Sequence, residues 1–246
     1  MTTDPFEFIP GARPSPWLLT CDHASNEVPP EIGGGSLGLS KKEMGRHIAW
    51  DIGAAGVTRA LADVLGAPAV LGRFSRLVID PNRGEDDPTL IMQVYDQTIV
   101  PGNRGLDPVE RERRLCKYYR PYHAAVADIA ARRDNTIYVA IHSFTPRLKS
   151  RTPRPWHVGI LYAQDERFSR PFITRLRAEG DLIVGENEPY AGHLPGDSVD
   201  RHALQTGRPN ALIELRHDLI ARPEDQVFWA QRLARLLDAA RADANL

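Results

Sequence analysis

The chain alternates between short apolar runs and longer stretches in which apolar residues recur every three or four positions. The runs Trp17-Leu18-Leu19-Thr20-Cys21, Ala69-Val70-Leu71, Leu77-Val78-Ile79-Asp80, Ile137-Tyr138-Val139-Ala140-Ile141, His157-Val158-Gly159-Ile160-Leu161-Tyr162, Leu182-Ile183-Val184 and Asn210-Ala211-Leu212-Ile213-Glu214-Leu215-Arg216 have strand length and composition. Weaker strand-like patches stand at Leu90-Ile91-Met92 and Gln97-Thr98-Ile99-Val100. Between the runs the spacing predicts helices. One starts at a capping box, Ser40 with Glu43, and runs to a stop at Gly66, with Gly53 and Gly56 as points of interruption. A second starts at Asp107-Pro108 and carries Leu115, Tyr119, Tyr122, Val126 and Ile129. A third spans 167–179, and a fourth spans 223–242 with Val227, Leu233, Leu236 and Leu237 facing inward. Residues 1–15 are proline-rich and read as an arm or lead-in loop, and 186–207 reads as a long loop. Strands alternating with helices predict an α/β sandwich with a largely parallel sheet.

Composition narrows the setting. The chain of 246 residues suits one α/β domain over 1–246. A formal net charge of −1 gives no reason to expect nucleic acid or an anionic membrane as partner. No apolar stretch approaches the ~20 residues that span a bilayer, and the first residues lack the pattern of a secretory signal. Two cysteines, Cys21 and Cys116, make no disulfide framework, so the expected compartment is the reducing cytoplasm. Arginine outnumbers lysine, which suits a partner carrying a carboxylate.

The candidate chemistry gathers where strands break. Trp17–Cys21 runs into Asp22-His23, and Ile137–Ile141 runs into His142. In open α/β sheets, ligands sit outside the carboxyl ends of the strands. Two imidazoles with one acid and an open position are the donor pattern of catalytic zinc; Asp22, Glu27 and Asp51 can each supply the acid. Ser75-Arg76-Leu77-Val78-Ile79-Asp80-Pro81-Asn82-Arg83 holds two arginines and an asparagine, either an anion clamp or a local Arg83–Asp80 pair. Glu214 sits within an apolar strand, either as a tunable general base or as a buried partner for an arginine. Glu186-Asn187-Glu188-Pro189-Tyr190-Ala191-Gly192-His193 is a polar loop whose tyrosine can reach a site. Cys21 is either a nucleophile or a buried strand residue. His193 and His202 rank below His23 and His142 as metal donors, and His47, His123, His157 and His217 read as helix-face or strand-edge residues. There is no phosphate-cradling loop, dinucleotide fingerprint or Gly-x-Ser-x-Gly elbow.

Five segments, Cys21-Asp22-His23-Ala24-Ser25-Asn26-Glu27-Val28-Pro29, Ser75 to Arg83, Ile141-His142-Ser143-Phe144, Asn187-Glu188-Pro189-Tyr190 and Ile213-Glu214-Leu215-Arg216, occur in the order that resembles the N-formylglutamate amidohydrolase family. That resemblance implies an α/β/α sandwich around a mixed sheet, related to zinc carboxypeptidases and aspartoacylases. It further implies one Zn2+ and hydrolysis of the formyl or acyl amide of a small-molecule N-acyl amino acid such as N-formyl-L-glutamate. Carried over by position, it makes His23 and His142 metal ligands. Arg76 falls near the scissile carbonyl, Asn82 and Arg83 on the substrate carboxylate, Tyr190 on the substrate-facing loop, and Glu214 at the general base. The carboxypeptidase pattern places a glutamate three residues after the first histidine. This chain has Asn26 there, which turns the choice of third ligand to Asp51. The rival readings are a zinc carboxypeptidase, another N-acyl amino acid deacylase, or a carboxylate-binding protein without catalysis.

Overall fold

Alternation of side chains along the strands resolves into one sheet with two apolar faces and a helical layer on each. The computed structural model describes residues 4–246, so the first three residues of the expected arm lie outside it. In chain order the elements are β1 (Phe6–Ile9), β2 (Trp17–Cys21), α1 (Lys41–Met44), α2 (Ala54–Leu65), β3 (Ala69–Gly72), β4 (Val94–Tyr95) and β5 (Thr98–Ile99). Then come α3 (Pro108–Arg114), α4 (Arg120–Ala131), β6 (Ile137–Phe144), β7 (Val158–Leu161), α5 (Ser169–Ala178), β8 (Val184–Glu186), α6 (Ser198–His202), β9 (Asn210–Arg216) and α7 (Pro223–Asp243).

The main sheet has the order β1-β3-β2-β6-β9-β7-β8, and β4 and β5 form a separate hairpin. β3, β2, β6 and β9 are parallel. β1 joins one edge antiparallel to β3, and at the other edge β7 runs antiparallel to β9 with β8 parallel to β7. Leu19, Cys21, Val139, Ile141, Ile213 and Leu215 face α2, α5 and α7. Leu18, Val70, Ala140 and Leu212 face α4 and α6, which supply Tyr122, Val126 and Val199. The expected α/β/α sandwich around a mixed, largely parallel sheet is therefore present.

The structure corrects several local expectations. The proline-rich start is not only an arm, because Phe6–Ile9 adds an antiparallel strand to the sheet. The helix predicted over 40–66 is two helices. The capping box at Ser40 forms, but α1 ends at Gly45, and α2 starts at Gly53 with φ 82°. A Cβ at Gly53 would lie 2.2 Å from the Ile220 carbonyl oxygen, so the break needs glycine. Leu77-Val78-Ile79 is not a strand. Those side chains are fully buried with Phe74, Leu90 and Leu115 beneath the long loops, and burial of loop backbone, not strand pairing, explains the run. Leu90-Ile91-Met92 is likewise turn. The strand expected at 182–184 begins at Val184, the loop over 186–207 contains α6, and Val227 is exposed.

Candidate metal centre and active site

The site assembles at the carboxyl ends of the parallel strands. His23 follows β2 by one residue beyond Asp22, and His142 lies near the end of β6. In register, His142 sits opposite Glu214 of β9. Asp51 comes from the irregular segment between α1 and α2, and its position is fixed by backbone. Its amide donates to the His23 carbonyl (2.9 Å), while Ser143 Oγ donates to the carbonyl of the neighbouring Ile52 (2.9 Å).

His23, Asp51 and His142 offer one donor atom each, all within 4.8 Å of one another, and all three residues are buried. Asp51 Oδ2 lies 2.8 Å from His142 Nδ1 and 3.3 Å from His23 Nδ1, and it accepts from the Ser143 amide at 3.2 Å. The far nitrogens meet two further acids. His23 Nε2 is 2.6 Å from Asp80 Oδ1, and His142 Nε2 faces Asp22 Oδ2 at 3.3 Å; these last two atoms have no other partner among the described residues. Two Nδ1 atoms and a carboxylate oxygen converge, each imidazole backed by a carboxylate on its other nitrogen, which is how ligating histidines are oriented and their tautomer set. These donors fit a divalent metal of the zinc type.

Charge in this cluster is strongly biased. Burial works to raise the pKa of Asp51, but His23 and His142 outweigh it and hold the group well below the ordinary carboxylate value. Burial also opposes charge on Asp22 and Asp80. The His142 bond brings Asp22 down to about 2, and Arg76 with His23 lowers Asp80 further. On His142, bonds to Asp22 and Asp51 outweigh burial and raise its pKa. Glu214 goes the other way: burial pushes its carboxyl up to about 7, resisted by His142, and among the described residues its Oε2 has no hydrogen-bond partner.

A cavity of about 420 Å3 opens on this cluster, and His23, Asp51, Arg76, Asn82, Arg83, His142, Tyr190 and Glu214 line it. Arg76 bonds Asp80 Oδ2 at 2.8 Å and stands 3.5 Å from Asp51 Oδ1, so the local acid pair belongs to Arg76 and not to Arg83. Arg83 bonds Thr89 Oγ1 and the Asn82 carbonyl. The Asn82 side-chain oxygen accepts from the Ser198 amide at 3.3 Å, tying this turn to α6. Tyr190 OH accepts from Arg154 at 3.1 Å.

The alternatives sort cleanly. Glu27 is exposed and stands outside the cavity lining; Asp22 backs a histidine instead of facing the other donors. Cys21 is fully buried on the helix-covered face opposite the cavity, and burial raises its pKa. His202 pairs with His123 in the interior (2.8 Å), and His193 reaches Asp200 at the surface. The residues missed from sequence are Asp80 as the hinge between His23 and Arg76, and His47, Tyr95 and Asp197 on the cavity wall. Asp80 stood in a quoted motif, but only the folded turn reveals its two partners. His47 read as a helix-face residue, yet it lies beyond the end of α1, where burial lowers its pKa to about 4.

Comparison with known proteins agrees with this architecture. The chain is 36% identical to a gene product of Agrobacterium tumefaciens of known crystal structure, covering 99% of this chain and 97% of that one with a TM-score of 0.92. A crystal structure of N-formylglutamate amidohydrolase from Ralstonia eutropha shares the fold at 24% identity and a TM-score of 0.64, covering 98% and 99% of the two chains. An N-formylglutamate deformylase from Pseudomonas aeruginosa is 26% identical over 198 residues, 74% of this chain and 73% of that protein. Residues 15–221 match the N-formylglutamate amidohydrolase family, and the chain belongs to it.

Proposed function

We propose that this protein is a zinc-dependent amidohydrolase that removes the formyl or acyl group from an N-acyl amino acid, N-formyl-L-glutamate being the substrate its family membership suggests. The observation that carries the reading is the convergence of His23, Asp51 and His142 donors beside an unpaired, buried Glu214. His23, Asp51 and His142 would hold the ion, which when bound would supply a Lewis acid for the amide carbonyl and lower the pKa of a water to about 7. Glu214 takes the proton of the attacking water and delivers it to the leaving nitrogen; a carboxyl poised near neutrality suits both transfers. Arg76, held by Asp80 and Asp51, places fixed positive charge beside the developing oxyanion. Arg83 and Asn82 grip the substrate carboxylate, and Tyr190 closes over it, so the amide is oriented before reaction.

Metal analysis of protein purified without chelator is expected to give about one zinc per chain, and formate or acetate release from a panel of N-acyl amino acids is expected to stop on chelation and return with zinc. Glu214→Ala should lower kcat by roughly 10²–10⁴-fold, whereas Arg83→Ala should chiefly raise KM. Zinc-loaded protein that hydrolyses no member of the panel would refute the assignment.

A further inference from the structure

Part of the cavity wall is apolar. Leu212 lies two residues before Glu214 on β9, so both side chains leave the same face of the strand. Leu161 is the register partner of Leu212 on β7, and Val199 of α6 joins the same buried cluster. All three line the cavity, together with Pro189 and Leu194.

Counter-charge is scarce there. Two guanidinium groups line the cavity, Arg76 and Arg83. Arg76 is matched by Asp80 and Asp51. Arg83 has no carboxylate partner among the described residues, since its bonds go to a hydroxyl and a carbonyl. His47 stands 3.5 Å from the Asp96 carboxylate, and burial lowers its pKa to about 4 against that acid. Arg154 stands outside the lining, its guanidinium 4.9 Å over the Tyr190 ring and bonded to the Thr145 carbonyl and Tyr190 OH. Apart from the three metal donors and Glu214, the remaining charged group on the wall is an acid, Asp197, whose oxygens accept from the Leu194 and Asp200 amides. The cavity thus offers one cation for one carboxylate. A second carboxylate seated on the apolar wall would be desolvated without a partner and would share the cavity with Asp197, which costs more than its methylenes gain by burial.

Resting on the amidohydrolase reading, we infer that the cavity selects an N-acyl amino acid with a single carboxylate, gripped by Arg83 and Asn82, and an uncharged apolar side chain seated on Leu161, Val199 and Leu212. N-formyl or N-acetyl derivatives of leucine and methionine belong to this class, and those of glutamate do not. The reaction is that of the family, and the selection of the side chain departs from the family's name.

The test is steady-state hydrolysis of N-formyl-L-leucine, N-formyl-L-methionine and N-formyl-L-glutamate by the zinc-loaded protein, with affinities for the same compounds measured calorimetrically on zinc-loaded Glu214→Gln, which reads the subsite without turnover. Leucine and methionine derivatives are expected to exceed glutamate by tenfold or more in kcat/KM, with the same order in affinity. Leu212→Arg, or Val199→Lys where the first variant does not fold, should move the ratio at least tenfold toward glutamate. A wild-type protein that treats glutamate equally or better overturns the selectivity and leaves the amidohydrolase reading standing. Loss of hydrolysis with all three compounds, and with their N-acetyl counterparts, overturns both.

Discussion

Glu214 shows what the proposed general base costs the fold. Its ordinary pKa is 4.5, and burial raises it to about 7. A group with a raised folded-state pKa contributes stability below its unfolded value and loses it as pH rises through the folded one. Metal-free protein therefore carries a buried, unpaired charge at pH 8 that is absent at pH 4. Replacing Glu214 with Gln is expected to stabilise metal-free protein at pH 8 by on the order of 1–3 kcal/mol and to change little at pH 4; denaturant melts at the two pH values read this. A gain of equal size at both would mean that packing, not ionisation, is responsible. Asp80 acts through others, since one oxygen meets His23 and the other Arg76. Asp80→Asn keeps the shape and removes the charge, and a competitive chelator titration is expected to show metal affinity lowered roughly 10–100-fold.

At the scale of elements, strands deliver the chemistry and turns supply its alignment. β6 and β9 set His142 beside Glu214 by register, and β7 gives way at Gly159, the partner of Glu214. A Cβ there would lie 2.0 Å from the Glu188 carbonyl oxygen, on the loop that leads to Tyr190. Gly159→Ala should cost about 1–3 kcal/mol of stability, visible as a lower melting temperature, and should raise KM by displacing that loop. The difference between strand and turn also explains what could be read from the chain alone. Apolar runs that end in a histidine are a local signal, and His23 and His142 fell out of it directly. Glu214 was visible as an acid amid apolar neighbours, but its lack of a partner was not. Leu77-Val78-Ile79 misled because loop residues buried under other loops are as apolar as a strand. Phe6–Ile9 hid among prolines because an edge strand of four residues needs no long pattern. The roles of Asp22 and Asp80 depend on which imidazole nitrogen each one meets, a distance no spacing encodes.

Across the whole molecule, the site spends charge in the interior of a nearly neutral chain. Asp22, Asp51 and Asp80 crowd two imidazoles and one guanidinium, and a divalent ion held there would offset the acids where they face the donors. Binding to the folded state alone stabilises it by about 4 kcal/mol at a thousandfold excess over Kd. For a chain of this size that corresponds to roughly 10 °C in melting temperature. Scanning calorimetry before and after chelation should show a drop of that order at neutral pH, and an unchanged midpoint would mean the three donors hold no ion in solution.

The pairing of His142 with Glu214 has a consequence for how the chain chooses its own structure. Side chains on a strand alternate, so sliding β9 by one position would turn Glu214 toward the oily layer of α2, α5 and α7 and lift Ile213 into the cavity. The slipped arrangement strands an acid in hydrocarbon and leaves the imidazoles facing a methyl group. The same carboxylate that weakens the correct fold thus penalises the nearest wrong one far more, and the residue proposed for proton transfer also keeps β6 and β9 in step.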